Sequence, residues 1–277
     1  MSLIDAEVGA ETLVRDRYGI HPPIGLRVDS AGVVPLLLAH RSVRAFAPTP
    51  IADDVVDTLI AAAQSASTSS NLQSWSVIVV RDAERKAAAA ALAGDQQFIA
   101  DAPVFLVFVA DWARGVAIAR HRGEASTGVE YLDSTLVATI DAALAAQNAV
   151  VAAESLGLGA VYVGAVRNNP LQLSELLGLP DATYPVVGVA VGHPAEGDRS
   201  SVKPRLPQSV VRHDERYRPA DAPDIEAYDR VLQEFNRSQG RSGGWLDAVV
   251  ARVRSRAALH GRDALRSALD KRGLPSS

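Results

Sequence analysis

The longest hydrophobic pattern in the chain lies between residues 134 and 155, and it predicts one long helix. Apolar side chains cover nearly its whole circumference, and the polar exceptions return every seven residues, at Ser134, Asp141, Asn148 and Ser155. A helix this apolar is buried in a large soluble core or in a membrane. Because Gln147 and Glu154 also lie within the run, and such groups are costly in hydrocarbon, the pattern favours a buried core helix.

Four shorter apolar runs predict strands. Gly157 and Gly159 end the long helix, and residues 160–163 then form a short buried strand that Gly164 interrupts. The other runs are residues 75–80, 103–110 and 184–192; the last two are apolar at every position or nearly so, which is typical of strands buried on both faces. A core helix that leads into a strand and then a glycine exposes backbone N–H groups, against which a flat ligand could lie.

Helical periodicity and capping residues predict further helices at 3–18, 35–40, 52–65, 83–92, 170–177, 224–238 and 245–271. Asp82 is the expected cap of the fourth of these. Residues 20–32 are interpreted as a linker. Residues 111–131 show no clear period and predict a long connection of the kind that often covers a site.

These elements suggest three regions: an N-terminal extension (1–32), a core (33–207) and a C-terminal helical arm (208–277). The arm has too few large apolar residues for a core of its own, so it is expected to pack on the main body or on a partner subunit. A chain of 277 residues, 48% of them hydrophobic, is long enough to bury a sizeable core.

Composition excludes several functions. The net charge of −4 argues against general affinity for nucleic acid or anionic membranes. The absence of cysteine excludes disulfides, zinc–thiolate sites, iron–sulfur clusters and thiol nucleophiles. The acidic N-terminus lacks the pattern of a signal peptide, which favours a cytoplasmic protein.

Familiar catalytic motifs are also missing. The six histidines form no i, i+4 pair for a metal, and the sequence has neither a phosphate-binding loop that ends in Gly-Lys-Ser/Thr nor a G-x-S-x-G nucleophile elbow. The glycine pair Gly157 and Gly159 follows a helix and precedes a strand, the reverse of a dinucleotide fingerprint. What remains is a ligand that carries its own chemistry, an anionic and flat cofactor held by arginines, hydroxyls and backbone groups.

Four segments carry such groups: HRSVRAF (40–46), STSSNLQSWS (67–76), GLGAVYVGAVRNN (157–169) and KPRLP (203–207). Taken alone, the first is explained better as a solvated helix end whose cations complement the helix dipole. Together and in this order, the four closely resemble the FMN-dependent nitroreductase family, within it the NADPH-preferring group of oxygen-insensitive nitroreductases and flavin reductases. The resemblance covers about residues 34–260 and leaves out the N-terminal extension, which this group commonly lacks.

The resemblance implies an α+β nitroreductase fold, with a central, mostly antiparallel sheet flanked by helices, in an intertwined homodimer with one FMN in each of two interface sites. It further implies an NADPH-dependent oxidoreductase that reduces nitroaromatics, quinones or free flavin by ping-pong, two-electron hydride transfer through FMN N5. A small-molecule electron acceptor is then the second substrate, and no catalytic side chain and no metal are expected.

The family's cofactor residues fall on positions of this sequence. The resemblance places His40, Arg41 and Ser42 at the FMN phosphate, Arg44 at the pyrimidine edge of the flavin near N1 and O2, and Gln96 near the ring. Lys203 and Arg205 would form a second phosphate-binding pair. The loop that reaches FMN from the other subunit would consist of Thr68, Ser69, Ser70, Asn71 and Gln73. The strand end behind the ring would consist of Tyr162, Val163, Gly164 and Ala165, with the backbone N–H of Gly164 or Ala165 near N5.

At two positions the sequence departs from the family pattern, and one further residue is expected at the nucleotide. Ala165 stands where the group commonly has a second glycine, and Asn71 occupies a position that varies in the group. Arg241 matches the region that grips the NADPH 2′-phosphate, although a solvated loop arginine explains it equally well.

Two alternative hypotheses retain a bound flavin but assign the protein a different function. Relatives of this fold include a flavin-fragmenting enzyme and a reductive dehalogenase with specialised lids, and residues 111–131 with Tyr131 could form such a lid. A non-catalytic protein that stores or delivers FMN is the third hypothesis. The sequence leaves open the physiological acceptor, the choice between NADPH and NADH, and the role of the N-terminal extension.

Overall fold

The computed structural model describes residues 10–18 and 32–277. The first residues of the helix expected at 3–18, and nearly all of the linker expected at 20–32, lie outside the described residues. The helices of the described part are α1 (Ala10–Tyr18), α2 (Val33–Leu38), α3 (Asp53–Gln64), α4 (Ala83–Leu92), α5 (Gln97–Asp101), α6 (Ala113–His121), α7 (Leu132–Ser155), α8 (Pro170–Leu176), α9 (Gln208–Val211), α10 (Ala222–Ser238), α11 (Trp245–Val253) and α12 (Leu265–Lys271). The strands are β1 (Trp75–Val80), β2 (Val104–Asp111), β3 (Gly159–Val163) and β4 (Thr183–Gly192).

The four strands form one sheet in the order β1-β2-β4-β3, and each neighbouring pair is antiparallel. Every residue of β2 is buried, as expected of a central strand whose two faces are both covered by helices. The predicted α+β class, with an antiparallel sheet flanked by helices, is confirmed, and the four predicted strands agree with the observed ones to within one residue at each end.

Helix α7 is the predicted core helix, with 24 residues. Its buried face is lined by alanines such as Ala142, Ala145 and Ala149, whose small side chains let the helix pack closely on the sheet and on α3. It is the one helix in the described ranges that is long and apolar enough to cross a membrane, but the buried Asp141 and its packing on the sheet identify it as a core helix.

One face of α7 departs from the expectation of full burial. Leu132, Leu136, Ile140 and Leu144 repeat at intervals of four residues and are 49%, 49%, 56% and 44% exposed. Residues four apart lie above one another on a helix, so they form a continuous apolar stripe, named here the α7 stripe. Leu136, Ile140 and Leu144 belong to the run predicted to be buried, and that prediction is wrong for these three side chains within the single chain.

Two local predictions are wrong, and the short helix α5 was not predicted. The connection predicted at 111–131 contains α6, whose arginines and glycine obscure its period. The single helix predicted at 245–271 is divided into α11 and α12 by irregular turns. His260 and Gly261 have φ values of 52° and 84° there, and left-handed backbone cannot continue a right-handed helix.

The chain forms two compact units. The helical unit comprises the described residues of the range 1–41 together with 199–259, and the sheet unit comprises residues 42–198 and 260–277. The region predicted as a C-terminal arm therefore contributes to both units, and Leu274, near its end, is fully buried in the sheet unit.

The sheet unit closes on itself near the points where the chain enters and leaves it. Phe46 forms an antiparallel bridge with Pro194. Ala47 N–H donates a hydrogen bond to the His193 carbonyl oxygen at 2.8 Å, and Ala195 N–H donates one to the Ala45 carbonyl oxygen at 2.9 Å.

Candidate functional site

In the helical unit, one buried arginine links the two segments predicted to bind phosphate. Arg17, on α1, is 5% exposed. Its Nη2 donates hydrogen bonds to the carbonyl oxygens of Leu38 and His40, both at 2.8 Å, and its Nη1 donates one to the carbonyl oxygen of Lys203 at 3.0 Å. The backbone N–H of Arg205 donates a hydrogen bond to the Arg17 carbonyl oxygen at 2.9 Å. The segments 38–41 and 203–205 are thus held together through the side chain and the backbone of Arg17.

A second link joins the same part of the unit. Arg41 is half-buried, and its Nε donates a hydrogen bond to Ser200 Oγ at 3.0 Å. The predicted residues His40, Arg41, Lys203 and Arg205 therefore lie on segments that the structure ties together. Ser200 was not predicted, because one serine in a polar loop gives no signal in the sequence.

The backbone of the 203–205 segment is fixed while its cations face solvent. Pro204 is buried, and its carbonyl oxygen accepts a hydrogen bond from the Tyr228 hydroxyl at 3.2 Å. Burial raises the pKa of Tyr228, although Arg205 lowers it in part, so the phenol remains a donor at neutral pH. Lys203 and Arg205 are exposed, so both cationic side chains lie at the surface of this backbone segment.

In the sheet unit, the predicted segment Ser42–Arg44 is anchored to β3. Val43 is 1% exposed, and its N–H donates a hydrogen bond to the Ala160 carbonyl oxygen at 3.1 Å. A Cβ at Gly159 would lie 2.7 Å from Val43 Cβ, so only glycine permits this approach. The exposed Arg44 lies with its guanidinium carbon 5.9 Å from the centre of the Phe98 ring on α5, the helix for which Gln96 is the N-cap residue.

At the other predicted strand end, β3 leads through Tyr162 and Val163 into a 3₁₀ turn at Gly164–Arg167 that includes Ala165. The Tyr162 hydroxyl donates a hydrogen bond to Gln147 Oε1 on α7 at 3.1 Å. Burial, and to a smaller extent Glu154, raise the pKa of Tyr162, which keeps it neutral. Gln147 was noted in the sequence only as a polar residue in the core helix.

The segment Thr68–Gln73, named here the 68–73 loop, is held by two charged side chains. The buried Asp141 accepts hydrogen bonds from Ser69 N–H at 3.0 Å (Oδ1) and from Ser74 N–H at 3.1 Å (Oδ2). Arg114 Nη2 donates to the Gln73 carbonyl oxygen at 2.7 Å. The loop includes left-handed backbone at three non-glycine residues, Ser70, Asn71 and Gln73, with φ values of 49°, 56° and 53°.

The same loop projects its side chains outward, since residues 69–73 are all exposed. Non-glycine residues with positive φ are uncommon and persist where the surroundings fix them, often at functional sites. The sequence singled out Asp141 as a polar residue in an apolar run but did not show that it holds this loop. Arg114 was missed because it lies in the stretch interpreted as a connection.

Arg241 is exposed in the loop between α10 and α11. Its N–H donates a hydrogen bond to the Asn236 carbonyl oxygen at 2.7 Å, and Asn236 Nδ2 donates one to the Gly243 carbonyl oxygen at 2.9 Å. These bonds attach the loop to α10 rather than to the 203–205 segment. Across residues 10–18 and 32–277, no group of three or more His, Asp or Glu side chains is placed to hold a metal ion.

Comparison with known proteins gives a consistent result. A family model described as "Nitroreductase family" matches residues 37–193, and one described as "Nitroreductase family, C-terminal domain" matches residues 203–277. An FMN reductase (NAD(P)H) of Bacillus subtilis is 43% identical over 225 residues, which covers 79% of this chain and 90% of the relative. An oxygen-insensitive NADPH nitroreductase of Salmonella typhimurium is 39% identical over 219 residues, which covers 78% of this chain and 88% of the relative.

Among solved structures, the NADPH:FMN oxidoreductase from Vibrio harveyi complexed with NAD⁺ matches with a TM-score of 0.80 and 35% identity. The match covers 88% of this chain and 99% of that chain.

Proposed function

Because this chain belongs to the nitroreductase family, we propose that it is an FMN-dependent NAD(P)H oxidoreductase that passes hydride to nitroaromatics, quinones or free flavin. The observation that carries this proposal is the pair of cationic segments held together in the helical unit. A family match supplies the class of chemistry, and these segments supply the groups that the cofactor's phosphate requires.

The donor set suits a phosphate. Arg41, Lys203 and Arg205 bring two guanidinium forks and one ammonium group, the side chains that pair best with phosphate oxygens. The carbonyl oxygens of Leu38, His40 and Lys203, which would repel an anion, accept hydrogen bonds from Arg17. We assign Arg41, Lys203 and Arg205, with His40 and Ser42, to the FMN phosphate.

The flavin ring is assigned to the other residues that the family resemblance implies. FMN, when bound, supplies reversible two-electron transfer between nicotinamide and acceptor. The guanidinium of Arg44 stabilises negative charge at the pyrimidine edge, and backbone N–H groups of Gly164 and Ala165 orient the ring. Gln96, Tyr162 and Val163 complete this side by contact alone.

No side chain is assigned as an acid or a base. Burial raises the pKa of the phenol of Tyr162, so this group keeps its proton at neutral pH and is not available as a base. Protons come from water, and the chain contributes binding, orientation and charge.

The nicotinamide donor is proposed to be NADPH, with Arg241 at its 2′-phosphate. Loss of one charged hydrogen bond costs about 1.5–3 kcal/mol, which corresponds to a rise of about 10- to 100-fold in the KM for NADPH in Arg241→Ala. The KM for NADH is expected to stay unchanged. Arg237→Ala, which removes an exposed arginine from α10, is the matched control, and an equal rise for both nucleotides would exclude the assignment.

We further propose that the protein is a cytoplasmic homodimer in which the α7 stripe is covered by the second subunit and the 68–73 loop contacts the FMN of that subunit. The stripe exposes four large apolar side chains in a row, whereas exposed apolar residues on monomers are usually scattered. Ile140→Asp is expected to give monomers in sedimentation experiments. Ile118→Asp, which changes a residue that is 60% exposed on α6, should leave the dimer intact.

Anaerobic mixing of the purified protein with NADPH, and separately with NADH, tests the whole proposal. Rapid bleaching of the oxidised flavin band, reversed by a nitroaromatic or a quinone, is expected. Bound flavin that neither nucleotide bleaches would contradict the reductase and favour a flavin-storage protein or a specialised flavin enzyme. In the specialised case, residues 111–131 with Tyr131 would form its lid.

A further inference from the structure

Arg17 lies outside the part of the chain that the family accounts for. The family model begins at residue 37, whereas Arg17 belongs to the N-terminal extension, whose role the sequence left open. The structure nevertheless buries this arginine against segments that carry predicted cofactor residues.

We propose that Arg17 is a positioning residue for the FMN phosphate site, which sets the spacing of the segments 38–41 and 203–205 without touching the phosphate. The inference rests on the proposed function, because the phosphate in question is that of FMN. It gives the N-terminal extension a role in cofactor selection.

The geometry of the arginine supports this role. A guanidinium is planar and presents five N–H donors in a fixed arrangement. Two of its nitrogens reach three carbonyl oxygens, two on one segment and one on the other, at 2.8–3.0 Å. A lysine ammonium carries its donors on one atom, so it cannot span both segments in this way.

The burial of Arg17 supports it as well. A cation that is 5% exposed requires hydrogen-bond partners, and here the partners include the backbone of both segments. Its removal would leave the carbonyl oxygens of Leu38, His40 and Lys203 without this donor. The spacing of the two segments would then change, and the cations next to these carbonyl groups in sequence would move with it.

Two further hydrogen bonds fix the backbone of the 203–205 segment, one of them to Arg17 itself. Arg205 N–H binds the Arg17 carbonyl oxygen, and the Tyr228 hydroxyl binds the Pro204 carbonyl oxygen. The exposed side chains of Lys203 and Arg205 therefore depend on a backbone position that Arg17 shares in fixing.

The test compares FMN with riboflavin, which lacks the phosphate. Dissociation constants of both flavins are measured by fluorescence titration of the apoprotein for the wild type, Arg17→Lys and Arg17→Gln. The control is Arg15→Lys, since the Arg15 side chain lies on the same helix and is 71% exposed.

For both Arg17 variants, we expect FMN affinity to fall by about tenfold or more, the equivalent of one lost charge-assisted hydrogen bond, with riboflavin affinity within twofold of wild type. Arg15→Lys should change neither. Arg17→Gln introduces no buried charge, so it keeps the test available if the lysine variant does not fold.

Each other outcome overturns the inference in a recognisable way. Equal loss of both flavins would mean a general structural role, and full FMN affinity in Arg17→Lys would mean that only the charge matters. An unchanged preference for FMN in both variants would exclude any role of Arg17 at the phosphate. A wild-type protein that binds no FMN would refute the proposed function itself, and the inference with it.

Discussion

Replacement of Asp141 by asparagine should loosen the 68–73 loop while leaving the sheet in place. Asp141 is 1% exposed, and its two oxygens accept hydrogen bonds from Ser69 N–H and Ser74 N–H. Asparagine has the same shape but offers only one acceptor oxygen. Its NH₂ group would therefore face one of the two backbone N–H donors.

The cost follows from these two bonds. Hydrogen bonds to a charged group contribute about 1.5–3 kcal/mol each, and a buried donor left without a partner costs about 1–3 kcal/mol. Ser74 is 2% exposed, so water cannot replace the lost acceptor there. With one bond lost and the other reduced to a neutral bond, the free energy of unfolding should fall by about 2–4 kcal/mol.

Urea denaturation measures this loss, and amide hydrogen exchange localises it. Faster exchange is expected at Ser69 and Ser74, with unchanged exchange in β2. Asp57→Asn, at an exposed position on α3, is the matched control and should change the stability by less than about 0.5 kcal/mol. A loss in Asp141→Asn as small as that of the control, with Ser74 still protected, would refute the idea that this carboxylate holds the loop.

Two further predictions concern the sheet unit. In Gly159→Ala the new Cβ would lie 2.7 Å from Val43 Cβ, so overpacking should lower the free energy of unfolding, measured by urea denaturation, by about 1–3 kcal/mol. Gly128→Ala, whose new Cβ would meet nothing within 4 Å, is the control. Equal effects of the two substitutions on stability would contradict the clash. Burial raises the pKa of Tyr184 to about 12, although Arg167 and Arg262 lower it in part. Because the unfolded phenol ionises near pH 10 while the folded one keeps its proton, the unfolded state binds fewer protons, and stability should fall as the pH rises from about 10 to about 12. In Tyr184→Phe, the midpoint of urea denaturation should fall less steeply with pH over this range than in the wild type. Tyr217→Phe, at a residue that is 78% exposed, should behave like the wild type. Identical pH profiles of the midpoint in Tyr184→Phe and the wild type would exclude a contribution of Tyr184.

Much of the fold follows from local patterns. The continuous apolar runs at 75–80 and 103–110 identify strands, and Asp82 caps α4 as expected, since its side chain accepts a hydrogen bond from Arg85 N–H. Helices α5 and α6 were missed because they are short or mixed in composition. Hydrophobicity alone cannot tell an apolar residue that faces its own core from one that faces solvent, which is why the α7 stripe was misplaced.

The residues of the candidate site also fall into those that the sequence could predict and those that it could not. Residues that would touch the cofactor, such as Arg41 and Arg205, lie in recognisable local motifs and could be named from the sequence. Residues that hold those motifs in place could not. Arg17 acts on a carbonyl group 186 positions away, and Asp141 on an N–H group 72 positions away, and no local pattern reveals such partners.

The division of the chain into units has a consequence for the order in which the protein folds. The helical unit is assembled from residues 1–41 and 199–259, and the whole of the intervening segment must be closed into a loop before Arg17 can meet Lys203. Loop closure costs entropy that increases with the length of a flexible segment. The bridge between Phe46 and Pro194 closes most of that loop within the sheet unit, so folding of the sheet unit shortens the flexible segment that remains to be closed. The sheet unit should therefore fold first, and the contacts of Arg17 with the segments 38–41 and 203–205 should form after it.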